Sequence, residues 1–266
     1  MDWSRPWLAP WRERGEPLAA QALRVGLVAA LNAGVTDTMR LRAGRLRFVE
    51  QAALPAGEAY EAYIDRTACV PVRDNLHDFY NGLVWLTHPA LKRRLNALQA
   101  AQLAGAERGA PRGPVRDVLT LFDENAALLQ APPVLVEALQ RRDWQRLFVT
   151  ERAVWAQARL TLVGHALLEK LERPRKAITA HVWVVAASLP SGSAVSALAE
   201  SLTPRALAAK SYLPLPVLGV PGWWAANEAP EFYRDATVFR PAKTQTAAER
   251  PLSCTNVSPG AISAPQ

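Results

Sequence analysis

Pro71-Val72-Arg73-Asp74-Asn75-Leu76-His77-Asp78-Phe79-Tyr80-Asn81-Gly82-Leu83-Val84-Trp85-Leu86-Thr87-His88-Pro89 reads as one helix between two prolines, and that reading decides the fold. Asp74 or Asn75 can cap it, because a side-chain oxygen at that position accepts the free amide hydrogens of a first turn. At 3.6 residues per turn, Leu76, Phe79, Tyr80, Leu83 and Leu86 share one face, and Asp74, His77, Asp78, Asn81, Trp85 and His88 share the other. An apolar face of that width needs a core to pack on. The other face offers an imidazole, a carboxylate and an amide within one and a half turns, with His77 and Asn81 aligned at i and i+4.

Two more polar clusters interrupt apolar stretches. Asp123-Glu124-Asn125 lies between Val118-Leu119-Thr120-Leu121-Phe122 and Ala126-Ala127-Leu128-Leu129. The segment reads as strand, turn, strand, with a helix as the near alternative, since turns favour Asp and Asn for local hydrogen bonding. His165-Ala166-Leu167-Leu168-Glu169 falls within residues 150–171, the longest helical pattern in the chain. That pattern starts at Thr150-Glu151 and ends before Glu172-Arg173-Pro174. Its stripe is Leu160, Gly164, Leu167, Leu168 and Leu171, and His165 and Glu169 sit beside it at i and i+4.

Working outward, residues 3–17 carry Trp3, Trp7 and Trp11 among prolines and arginines, an irregular arm expected to pack on the body. Residues 17–31 are patterned as a helix ended by Asn32-Ala33-Gly34. Residues 46–51 read as a short strand and 57–66 as a helix. A helix is expected from Pro89 to about Gln102, then a basic loop at 108–114. Residues 133–140, 143–149 and 194–209 read as helices, 178–187 as a strand, and 230–235 as a helical turn. Neither a βαβ alternation nor a glycine-rich phosphate loop is evident. The fold class is therefore α+β, mainly helical, with a few short strands. We expect a single compact domain over residues 1–242, with arm 1–16 packed on it, and a disordered tail at 243–266 poor in large apolar residues.

Half of the 266 residues are hydrophobic, enough for a large core. Two cysteines, Cys69 and Cys254, are too few for a disulfide scaffold or a four-thiolate zinc site. Asp2 stands where a signal peptide needs positive charge, so a reduced, cytoplasmic protein is expected. The helical stretch at 18–31 is too short and too interrupted for the roughly 20 apolar residues of a membrane span. The net charge of +7 comes mostly from scattered arginines. Without a recognition motif among them, nucleic acid is not the expected partner.

The clusters become informative together. Two of the four histidines and several acids, drawn from separate elements, have the composition of a hydrolytic metal site with open positions. Candidate catalytic residues are His77, Asp78, Asp123, Glu124, His165 and Glu169. A divalent metal ion is the candidate cofactor, with His77, Asp123, His165 and Glu169 as its ligands, since imidazole nitrogen and carboxylate oxygen suit such ions. Arg73, Asn81 and Arg116 are the candidate substrate-binding residues, the arginines for an anionic small molecule. His88 and His181 read as structural. No HExxH, CxxC or GxSxG spacing selects a reaction. Two other readings stay open: a noncatalytic binding or scaffolding protein whose buried polar network is structural, and a nucleic-acid- or phosphate-associated protein using Lys92-Arg93-Arg94 and the basic segment 108–116.

Tyr60-Glu61, Val70-Pro71, Arg73-Asp74-Asn75-Leu76-His77-Asp78-Phe79-Tyr80-Asn81, Arg116-Asp117, Thr120-Leu121-Phe122-Asp123-Glu124-Asn125 and Gly164-His165-Ala166-Leu167-Leu168-Glu169-Lys170 occur in an order that resembles a bacterial family, number 3025 among the domains of unknown function. The family pattern has glycine where Cys69 and Ala126 stand here, and phenylalanine where Tyr80 stands. The resemblance covers about residues 45–240. It implies a single domain of proteobacterial type and carries no established activity.

Overall fold

The computed structural model describes residues 1–105 and 113–242. The tail at 243–266, with Cys254, and most of the basic loop at 108–114 lie outside the described residues. In chain order the elements are α1 (Arg12–Val25), α2 (Leu27–Ala33), a minimal hairpin of β1 (Arg40–Leu41) and β2 (Gly44–Arg45), β3 (Arg47–Glu50), α3 (Tyr60–Thr67), β4 (Cys69–Val72), α4 (Leu76–Thr87), α5 (Pro89–Ala104) and α6 (Pro114–Asn125). There follow β5 (Ala126–Gln130), α7 (Pro133–Arg141), β6 (Arg159–Leu162), α8 (His165–Lys170), β7 (Thr179–Val184), α9 (Ser191–Ser201), α10 (Pro204–Ala208) and β8 (Leu213–Pro216). The fold is mainly helical α+β. No helix among the described residues is long and apolar enough to cross a membrane.

The largest sheet has the order β6-β5-β7-β8, with β5 antiparallel to β6 and parallel to β7. Every residue of β5 is buried. Successive strand side chains point to opposite faces, so Ala127 and Leu129 join the larger apolar core while Ala126 and Leu128 join a second one built with α5, α6 and α9. A strand covered on both faces has no polar face to alternate with, which is why residues 126–129 read as an unbroken apolar run.

Helix α4 is the central helix of the larger core. Asn75 caps it, its side-chain oxygen accepting the Asp78 amide hydrogen at 2.8 Å. From Asp78 to Leu86 every residue is buried, and of its polar face His77, Asp78, Asn81 and Trp85 line a cavity while Asp74 is exposed. Near the N-terminus, Trp7, Leu8 and Trp11 are buried in the larger core.

Several expectations need correction. The single helix at 17–31 is two helices, because Gly26 adopts φ +85°, a conformation that side-chain-bearing residues rarely take. Leu23, just before that break, is 92% exposed. A small βαβ unit is present where none was expected, since β3 and β4 pair in parallel and α3 joins them. Residues 118–129 are not a hairpin. Val118, Leu119 and Phe122 share a buried helical face, and Asp123-Glu124-Asn125 forms the last turn of α6, directly before β5.

The long helix at 150–171 is absent. Its place is taken by a 3-10 stretch at Arg152–Gln157, strand β6 and the short helix α8. Residues 160–162 are drawn into pairing with β5, and Gly164 packs directly on the α6–β5 junction. A Cβ at Gly164 would stand 2.5 Å from the Asn125 amide nitrogen. The helix at 194–209 is also split, because Pro204 starts α10 and Thr203 caps it, accepting from the Ala206 amide at 3.1 Å.

Candidate metal centre

Three elements bring the histidines together. Helix α4 carries His77, the end of α6 carries Asp123 and Glu124, and α8 opens with His165. Gly164 permits the approach of the last two, its amide donating to the Ala126 carbonyl at 2.9 Å. The Tyr80 hydroxyl donates to the Glu172 carboxylate and ties α4 to the chain just beyond α8.

His77 Nδ1 lies 2.8 Å from Glu169 Oε2, and His165 Nδ1 lies 2.8 Å from the Asp123 backbone carbonyl. Both partners accept hydrogen bonds and neither donates, so each neutral ring carries its proton on Nδ1 and its lone pair on Nε2. Those two Nε2 atoms face each other at 3.1 Å, with the rings inclined by 74°. Two lone pairs at that distance repel unless positive charge lies between them. Two nitrogens bound tetrahedrally to one ion, at bonds of about 2.0–2.1 Å, stand about 3.3 Å apart, close to what is observed. Glu124 Oε1 lies 3.7 Å from His165 Nε2, and ligand atoms of His77, Glu124 and His165 all fall within 4.8 Å of one another.

The electrostatics favour ligation. Burial, reinforced by the nearby Lys92 and His77, pushes the His165 imidazole down to about 4 against the opposing pull of Asp123, so the ring is neutral at neutral pH. Burial and the adjacent Asp123 raise the Glu124 carboxyl, making it a more basic donor. Burial also works to raise Asp123, but the Lys92 ammonium, 2.5 Å from Oδ1, together with the nearby His165 and His77 rings, outweighs it and the carboxyl sits below its usual range.

Other candidate residues take different places. Asp123 faces Lys92 through its side chain and His165 Nδ1 through its backbone, away from the Nε2 pair. Glu169 meets His77 on the Nδ1 side, the outer position from which carboxylates orient metal-bound imidazoles. Asp78 accepts from the Arg73 amide at 2.6 Å and from its guanidinium Nε and Nη2 at 3.0 and 3.1 Å. Asn81 donates to the Tyr60 hydroxyl at 3.0 Å, and its buried Oδ1 has no partner among the described residues. Arg116, in the first turn of α6, is about 10 Å along the helix from Asp123 at 1.5 Å per residue and does not line the cavity.

A cavity of about 310 Å³ adjoins the histidines, walled by α3, α4, α5 and α6. Sequence reasoning missed its α5 wall. Lys92, assigned there to a basic segment with Arg93 and Arg94, is buried and points into the cavity, while Arg94 donates to the Leu202 carbonyl. Lys92, Leu95, Asn96 and Gln99 follow the i, i+3, i+4, i+7 spacing of a buried helix face. Polar residues in core spacing were the available signal. His88 and His181 lie away from the cavity; His181 Nδ1 bonds the Asn125 amide at 2.8 Å.

Residues 46–243 match the model of the family described as Protein of unknown function (DUF3025), and the chain belongs to that family. No curated protein and no solved structure matches it.

Proposed function

We propose that this DUF3025 protein is a metal-dependent enzyme of hydrolase type, with a divalent ion held by His77, His165 and Glu124. The observation that supports this is the pair of Nε2 atoms facing at 3.1 Å while both Nδ1 atoms are committed elsewhere. Zinc suits the set, since two imidazoles and a carboxylate are usual ligands for it and three protein ligands leave a position for water. Bound there, the ion would lower the pKa of that water and polarise the bond to be cleaved.

The chain's own residues supply the rest. Glu169 and the Asp123 carbonyl fix the tautomers and the ring orientations. Burial keeps His165 unprotonated, so its lone pair is available at neutral pH. The Lys92–Asp123 pair carries its charge beside the site without occupying it. The cavity wall formed by α3 and α5 excludes bulk water from one side of the bound molecule.

Elemental analysis of protein purified without a histidine tag tests the proposal. About one divalent ion per chain is expected, lost in His77→Ala plus His165→Ala with the circular dichroism spectrum retained. A metal-free protein that takes up no added metal, and that chiefly unfolds when the two histidines are replaced, would make the clusters a packing network instead.

A further inference from the structure

We infer that the cavity beside the histidines binds a substrate through a positively charged nitrogen, an ammonium or guanidinium group received by Glu61, and discriminates against phosphate and carboxylate groups. What is cleaved rests on the hydrolase reading above; what is bound does not.

The charges on the cavity wall carry the inference. Glu61, Asp78, Asp123 and Glu124 line it, against two strong cations, Arg73 and Lys92. Both cations are already engaged. Arg73 grips Asp78 through Nε and Nη2, and Lys92 lies 2.5 Å from Asp123. An entering phosphate or carboxylate would compete with Asp78 for Arg73, or would have to draw Lys92 from Asp123 and leave that carboxylate without its partner, which is strongly unfavourable for a buried pair. Even with a divalent ion at the histidines, the wall holds no surplus positive charge for an anion.

The acids are not equally engaged. Glu124 stands on the ligand side of His165. Glu61, on the first turn of α3, has no hydrogen-bond or ion-pair partner among the described residues, and it is the carboxylate left for an incoming cation. A carboxylate meeting an ammonium or guanidinium forms a charge-assisted hydrogen bond, roughly twice as strong as a neutral one.

The cavity is also built to hold a molecule. Asn96 and Gln99, one turn apart on α5, are only 4% and 9% exposed and line it, yet neither side chain has a partner among the described residues. Their amide atoms are reached from the cavity and are free to hydrogen-bond a bound polar group. The volume of about 310 Å³ suits a small metabolite. Together these describe a small molecule with a cationic nitrogen at Glu61 and amide or hydroxyl groups against α5.

The full chain, zinc-loaded and chelator-stripped, would be titrated with n-pentylamine, n-pentanamide, n-pentanoate and inorganic phosphate, with ligand-observed NMR as the readout. Stripping matters because pentanoate and phosphate ligate zinc directly. In the stripped protein the amine should bind at least about tenfold more tightly than either anion. Glu61→Gln should remove most of that preference and Gln99→Met should weaken the amide, with metal content and circular dichroism unchanged in both. Equal or tighter binding of the anions to stripped protein, or an amine affinity indifferent to Glu61→Gln, overturns the inference. Metal analysis of the same samples separates the two proposals: amine preference without metal sinks only the hydrolase reading, and one metal per chain without amine preference sinks only this one.

Discussion

At the scale of single residues, the outer hydrogen bonds decide what the two histidines can do. Glu169 holds the proton of His77 on Nδ1, and carboxylates in that position typically contribute 10–100-fold to metal affinity. Glu169→Ala should therefore weaken zinc by about 10–100-fold in a chelator competition, with the fold kept because Glu169 lies at the surface end of α8; an unchanged affinity would remove it from the site. His88 makes a different prediction. Burial, aided by the Arg14 guanidinium, pushes its imidazole down to about 4, against about 6.5 for an unperturbed ring. The unfolded chain then takes up the proton at higher pH than the folded one, so stability is intact above about 6.5 and falls as pH drops from there toward 4. His88→Phe, which keeps an aromatic ring against Trp11, 5.3 Å away between centroids, should reduce that acid slope by up to one proton. Urea midpoints across pH 7 to 4 measure it, and parallel curves for the two proteins would exclude the idea. Neither Glu169 nor His88 could have been given its role from spacing alone: Glu169 was read as a ligand because i and i+4 place it beside His165, yet its hydrogen bond goes to another helix.

At the scale of elements, the junctions hold the site. Gly164 lets β6 and α8 meet the α6–β5 corner closely, and a Cβ there would meet backbone atoms at 2.5 and 2.6 Å. Backbone cannot rotate away as a side chain can, so Gly164→Ala should cost at least the 1–3 kcal/mol typical of overpacking and separate His165 from His77. Gly192→Ala, in α9 with nothing within 4 Å of the added carbon, should be neutral or slightly stabilising through helix propensity. Similar thermal midpoints and similar zinc content in the two variants would show that the close approach is not what assembles the site. This same junction explains what was illegible. Leu160, Gly164, Leu167 and Leu171 fit a helical stripe, but 160–162 are claimed by a strand partner some thirty residues earlier, a contact that no local pattern announces. Helices α4 and α5 were legible because their start signals, Asn75 and Pro89, are local. At α6 the periodicity of Val118, Leu119 and Phe122 was present but short, and the adjoining apolar run of β5 masked where the period changed.

At the scale of the whole molecule, β5 makes two cores one. Leu129 faces the larger core and Leu128 the second, and both are fully or almost fully buried. Leu→Ala at either place removes about 2–5 kcal/mol by lost transfer energy and the cavity left behind. If the two cores are coupled through the strand, Leu128→Ala and Leu129→Ala should each lower a single transition, with far- and near-ultraviolet circular dichroism still coincident. Cores that unfold separately would instead give two transitions, and each substitution would move only one. The proposed metal adds a second handle on the same coupling, because His77 is carried on α4, whose apolar side chains lie in the larger core, and Glu124 on α6, whose apolar side chains lie in the second. An ion joining them should stabilise the whole chain by about 2.7 kcal/mol at a free concentration one hundred times its Kd. Zinc should therefore raise the midpoint of the single transition as a unit in the wild-type chain and leave it unmoved in His77→Ala plus His165→Ala. A rise confined to one of two resolved transitions would place the ion within one core and refute the bridge between them.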